Sequence, residues 1–230
     1  MFDFKKILID RSECILFHIE KSDNYSSGWI GGNIPEYFLK QCEFMKEHHS
    51  KYYFYLALVN PFNSQYMFSI FVPQNYNVYL NNNAYPSCSI LIVEHPISDE
   101  SNNTDFTNTD IRRHAISSGE VSANFSEQFV DGEVYPVWMA NGEIISDDDV
   151  PEYFIKFGGS PILIQAEDYY TEVLQRDSFE FLFQIDEQGY PNSDDFLNGN
   201  MPFSFGAVYI YAKIKDNSID KPCVGYWQFS

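Results

Sequence analysis

The 230-residue chain is 44% hydrophobic and 18% aromatic, and it carries a formal charge of −19. That hydrophobic content can build a sizeable core, whereas the charge argues against direct contact with phosphate backbones or anionic membrane surfaces. The charge is uneven: residues 1–51 hold eight acids and seven bases, residues 52–230 hold 25 acids and seven bases, and 52–111, 114–155 and 177–212 contain no Lys or Arg. Such a surface attracts a basic partner, and it serves equally as a solvated face that only confers solubility.

The opening Met-Phe-Asp-Phe-Lys-Lys has no long apolar segment of the secretory kind. Ile90-Leu91-Ile92-Val93, among the longest apolar runs, is far short of a membrane span. Cys14, Cys42, Cys88 and Cys223 have no C-x-x-C spacing, so they read as reduced thiols of a cytoplasmic protein, without zinc.

Aromatic richness favours strands. Lys6 to Ile9 and Cys14 to Ile19 are the first candidates, split by the turn Asp10-Arg11-Ser12-Glu13. After Gly31-Gly32, Pro35 opens an expected helix to about His48, with Phe38, Cys42 and Met45 on one face. Strands follow at Tyr53 to Val59, Tyr66 to Val72 and Ser89 to Val93, each broken by Pro or Asn. The polar stretch 97–131 reads as a linker or surface excursion. It separates a β-rich half, 1–96, from a second half, 132–230. In the second half Val134 to Met139 reads as a strand, and Asp147-Asp148-Asp149 before Pro151 reads as a helix start. Beyond Gly158-Gly159 come a strand Ile162 to Gln165, a short helix from Ala166 to about Arg176, and strands Phe179 to Ile185, Ala207 to Ile214 and Val224 to Phe229.

The halves align. Gly31-Gly32-Asn33-Ile34-Pro35 matches Gly158-Gly159-Ser160-Pro161, and the strands after each glycine pair, Tyr53 to Val59 and Phe179 to Ile185, fall at nearly equal distances. A rival register sets Pro35-Glu-Tyr-Phe-Leu-Lys40 on Pro151-Glu-Tyr-Phe-Ile-Lys156. The glycine register aligns more elements in order, so the expected fold is mainly β with a few short helices (α+β), internally duplicated, with two diverged β-rich halves packed together.

The second half carries Lys156-Phe-Gly-Gly-Ser-Pro161, Ile164-Gln165, Phe181-Leu-Phe-Gln-Ile-Asp186, Phe205-Gly-Ala-Val-Tyr-Ile-Tyr211 and Tyr226-Trp-Gln-Phe229. In this order the set resembles the YwqG-like family of bacterial proteins of unknown function, which has a GG-x-P element, an LLQID-like strand and a glycine-led aromatic strand. The resemblance covers roughly 151–230, and the first half shares it only through the repeat. It implies a mainly β, duplicated fold and no established reaction. Because members occur among immunity proteins of bacterial toxin systems, it also implies a toxin-binding role. Phe203-Ser204-Phe205-Gly206 stands where the family has a charged or Asp-Gly turn, which counts against a shared ligand pocket.

No nucleotide-binding motif, HExxH, EF-hand spacing or nucleophile elbow is present, so no cofactor, metal or catalytic residue is assigned. Gly158-Gly159-Ser160-Pro161 is either an anion nest or a tight turn requiring left-handed backbone. Gln165 and Gln184 interrupt apolar strands and are either ligand contacts or structural bonds to the glycine loop. The acidic clusters Asp147, Asp148, Asp149 and Asp194, Asp195 are solvated loops suited to meeting a basic protein. The sequence therefore points to a non-catalytic cytoplasmic interaction protein, such as an immunity or antitoxin protein that neutralises a basic toxin domain. The alternative is a small-ligand binder or enzyme with a pocket where the halves join.

Overall fold

The computed structural model describes residues 2–20, 27–130, 133–165, 168–191, 196–215 and 217–229. Strands β1 (Glu13–Phe17), β2 (Ile19–Glu20) and β3 (Gly28–Ile30) precede a 3-10 turn at Glu36–Lys40 and helix α1 (Cys42–His48). Then come β4 (Tyr52–Val59), β5 (Tyr66–Pro73), helix α2 (Tyr76–Asn81) and β6 (Leu91–Pro96). β7 (His114–Ile116), β8 (Glu120–Ala123), β9 (Phe125–Val130), β10 (Glu133–Ala140) and β11 (Glu143–Ile144) form the middle of the chain. The last third holds β12 (Ile155–Phe157), a 3-10 turn at Asp168–Tyr170, helix α3 (Glu172–Arg176), β13 (Glu180–Asp186), β14 (Ala207–Lys215) and β15 (Ser218–Gln228). The fold is mainly β with a few short helices, as the aromatic composition leads one to expect.

Two six-stranded sheets dominate, ordered β2-β7-β3-β4-β5-β6 and β15-β14-β13-β12-β1-β8, with a smaller β11-β10-β9 sheet beside them. Among the described residues every strand pairs antiparallel with its sheet neighbours. The two large sheets bury one shared core between them. Phe68 of β5 lies 5.8 Å from the Phe183 ring and 6.5 Å from the Phe157 ring, and the buried Tyr55 and Tyr190 hydroxyls meet at 2.5 Å. The outer faces are also apolar and are covered locally. Phe38 and Phe44, from the segment before β4, sit over Phe71, while Tyr170 and Leu174 sit over Phe181, Tyr209 and Tyr226.

From β3 onward the first sheet and from β12 onward the second follow one plan: a strand, a glycine pair, a helical cover, then three strands added in succession. Details repeat in the glycine register. Gly31 N–H donates to Tyr55 O at 2.8 Å, and Gly158 N–H donates to Leu182 O at 2.7 Å. The register of β4 on β5 slips between Phe54 and Leu56, and that of β13 on β14 slips between Phe181 and Phe183. Each slip places two successive residues, Tyr55-Leu56 or Leu182-Phe183, in the shared core while Phe54 or Phe181 faces outward. The rival hexapeptide register finds no such parallel: Glu36–Lys40 is a 3-10 turn, whereas Ile155–Phe157 is a strand.

Several sequence expectations need correction. Residues 97–131 are not a linker, because they supply β7 to one large sheet, β8 to the other and β9 to the small one. Nor do 1–96 form a half on their own, since β1 pairs with β12 and β8. Lys5–Ile9 is a wide helical turn closed by Asp10 N–H on Lys5 O at 2.8 Å; so short an apolar run carries no period to separate strand from helix. Residues 162–165 form no strand, because their N–H groups at Ile162, Ile164 and Gln165 are taken by side chains. The Asp147–Asp149 segment is a single 3-10 turn and no helix continues from it.

Phe68 is fully buried between the sheets. Phe68→Ala should therefore cost about 3–5 kcal/mol of unfolding free energy, to be read from urea midpoints with the slope unchanged.

Candidate functional site

The glycine loop after β12 is a cation-filled knot. Gly158 and Gly159 take φ of +76° and +62°, which turns successive carbonyls inward. Lys156 is wholly buried, and its Nζ donates to Ser160 O at 2.6 Å, Asn124 Oδ1 at 3.1 Å and Gly158 O at 3.4 Å. Arg11 donates to the remaining carbonyl, Gly159 O, at 2.6 Å and to Phe181 O at 3.1 Å. Three acceptors match the three protons of an ammonium, and the Phe125 ring lies 5.3 Å away. Burial, acting against the nearby Cys14 and aided by Arg11, pulls Lys156 down to about 8. The N–H groups of Gly158, Gly159 and Ser160 donate to Leu182 O, Ile7 O and Asn124 Oδ1, so the loop keeps no donor for an anion.

Gln184 completes this scaffold: its Oε1 accepts from Ile162 N–H at 2.7 Å and its Nε2 donates to the Tyr153 hydroxyl at 3.1 Å. Tyr209 OH donates to Ile162 O at 2.7 Å. Gln165 sits apart, donating to Phe229 O and accepting from Tyr170 OH. Gly158, Gly159, Pro161 and Gln184 thus share one structural knot, with Gln165 at its far end. Gln228, which the sequence reading passed over, holds the same segment through Ile164 N–H, Gln165 N–H and Gln165 O.

Beyond the knot opens a cleft of about 560 Å³. Asp147, Glu152, Asp186, His18, Trp138 and Tyr153 line it, and among the described residues no Lys or Arg does. Asp186 accepts from Gln188 N–H at 2.9 Å and Tyr153 OH at 3.3 Å, while burial pushes its carboxyl up. Asp147, Asp148 and Asp149 are exposed, with Ser146 Oγ capping their turn. Only Asp147 of the three lines the cleft. Asp194 and Asp195 lie outside the described residues.

Two further polar centres escaped the sequence reading. His95 Nε2 meets Ser69 Oγ at 2.8 Å and its Nδ1 meets Pro96 O at 2.8 Å. This resembles a nucleophile–base pair, but both residues are buried and Tyr37 stacks on the imidazole at 4.6 Å. Burial holds His95 down to about 4, so the pair works as packing. Glu187 is buried and accepts backbone N–H groups from Phe203 at 2.8 Å and Gly206 at 3.3 Å, and also from Phe205. Burial, opposed by those bonds, raises it to about 7. No sequence signal marks either centre, since the partners of each are brought together only by the folded backbone.

Cys14, Cys42, Cys88 and Cys223 are free thiols. Burial pushes Cys88 and Cys223 up to about 12, so neither presents a thiolate nucleophile. Among the described residues no group of three or more His, Cys, Asp or Glu is placed to hold a metal ion, and no helix is long and apolar enough to cross a membrane. No protein-family model and no curated protein matches the chain.

Two outcomes are expected. A Cβ at Gly159 would lie 2.2 Å from Asn124 Oδ1, whereas one at Gly142, also left-handed at φ +83°, meets nothing within 4 Å. Gly142→Ala should cost only backbone strain, about 1 kcal/mol. Gly159→Ala should cost more, and Gly159→Val about 3 kcal/mol or more, as measured by melting temperature. Glu187 has a folded pKa above its unfolded one, so its contribution to stability is full below about pH 4.5 and is lost as pH rises through 7. The unfolding free energy of the native protein relative to Glu187→Gln should fall by about 3 kcal/mol across that window.

Proposed function

We propose that this chain is a non-catalytic cytoplasmic interaction protein that receives a basic protein, of the kind an immunity or antitoxin protein neutralises, at the acidic cleft beside Asp147. One observation carries the reading: the cleft combines Asp147, Glu152 and Asp186 with the rings of Trp138 and Tyr153, and among the described residues no Lys or Arg lines it. A Lys or Arg side chain entering there meets carboxylates and aromatic faces together, the combination that recognises cations. The excess of acids over residues 52–230 supplies the long-range field that steers such a partner inward. The YwqG-like resemblance supports the same role by analogy. The proposal takes the two large sheets as diverged copies of one unit. In its favour, Trp29 Nε1 donates to Asn33 O at 3.0 Å where, in the glycine register, Lys156 Nζ donates to Ser160 O.

The test is affinity capture from the native host, followed by association kinetics with the purified partner. A basic protein should be retained, and its association rate should fall as salt is raised. Asp147→Asn combined with Glu152→Gln should slow association about tenfold, while Asp148→Asn with Asp149→Asn should change it little, because those two residues lie outside the cleft. An acidic or nucleic-acid partner, or a rate indifferent to salt and to the cleft pair, overturns the reading.

A further inference from the structure

A second cleft, of about 520 Å³, lies where the ends of the two large sheets meet. Tyr53 of β4 and Tyr79 of α2 form one wall, and the loop between β13 and β14 forms the other. The walls are tied together: Ile111 bridges Leu197, Arg112 N–H donates to Phe196 O at 2.9 Å, and Tyr79 OH donates to Pro202 O at 2.8 Å.

Three features set this cleft apart. The first is the backbone at Ser204 and Phe205, where two consecutive non-glycine residues take φ of +55° and +63°. They are held there by the Glu187 carboxylate, which gathers the N–H groups on either side. The second is an aromatic patch: Phe205, 59% exposed, lines the cleft together with the exposed ring of Tyr76. Backbone strain concentrates at sites that act on ligands. The third is Tyr53, which lines the cleft and whose hydroxyl makes no hydrogen bond among the described residues. Asp110 lines the same cleft and, among the described residues, no Lys or Arg does.

We infer that this cleft binds a small organic cation, a protonated amine on a flat apolar frame. The amine faces Asp110, the frame lies against Phe205 and Tyr76, and the Tyr53 hydroxyl bonds the ligand. The aromatic faces and the carboxylate both favour positive charge, and the absence of any base in the walls disfavours an anion. Phe205 is already displayed, so little ordering cost remains to be met on binding.

The test titrates the full chain with tryptamine and phenethylamine by calorimetry, with indole-3-ethanol and indole-3-propionate as the neutral and anionic counterparts of tryptamine. At least one amine should bind saturably, about tenfold or more tighter than the alcohol, with no binding of the acid. Asp110→Asn should erase the preference for the amine, and Phe205→Ala and Tyr53→Phe should each weaken it severalfold. Asp110 and Phe205 are exposed, so their variants should keep the parental melting temperature. Asp147→Asn with Glu152→Gln should bind the amine as the parent does, which separates this site from the acidic cleft above. Failure of both amines to bind, equal binding of the alcohol, or an amine site indifferent to Asp110→Asn overturns the inference.

Discussion

A lysine ammonium buried without a carboxylate is the constraint around which the second sheet is arranged. Taking such a charge out of water is costly unless its protons are satisfied, and Lys156 meets the need with Gly158 O, Ser160 O and Asn124 Oδ1. Supplying those oxygens requires two glycines in the left-handed region and an asparagine from the β8–β9 junction. Arg11 then closes the remaining carbonyl and reaches Phe181 O in β13. Two cations thus fix the relation between the amino-terminal turn, the middle of the chain and the last four strands.

The corresponding loop of the first sheet solves the same geometry with the opposite sign. Asn33 N–H donates to Glu100 Oε1 at 2.8 Å, and Arg113 in turn neutralises Glu100 at 3.1 Å. Trp29 stands in the place of Lys156 and gives its indole N–H to Asn33 O. A neutral donor and a charged donor thus serve one backbone arrangement. The carboxylate is tolerable in the first loop because its guanidinium partner comes with it, and the ammonium in the second because three oxygens surround it.

Much of this was legible in the residues. The long aromatic strands β4, β5, β13 and β14 show themselves because a pleated, half-buried surface selects such side chains, and the glycine pairs show themselves because few other residues adopt their backbone cheaply. The strands of 97–131 do not. His114–Ile116 is only three residues long, and Glu120–Ala123 is a four-residue edge strand with no aromatic side chain and only one large apolar one, Val121. The knot was half visible: Gln184 was read as a candidate bond to the loop, but Lys156 at its centre looks like any strand lysine until Asn124 and Ser160 converge on it. The Ser204–Phe205 strain was hidden because neither residue type announces a positive φ.

The pairing of β1 with β12 and β8 has a consequence for how the molecule is made. β1 leaves the ribosome before either neighbour that satisfies its backbone, since these arrive only with Glu120–Ala123 and Ile155–Phe157. Until then Cys14, Ile15, Leu16 and Phe17, all buried in the finished protein, have no sheet to join. Synthesis therefore carries an unpaired apolar edge through much of its course, the circumstance in which nascent chains associate wrongly. Closing so distant a contact also makes folding slow. A chain cut short before β12 would lack not just its last strands but the neighbour that joins its first to them.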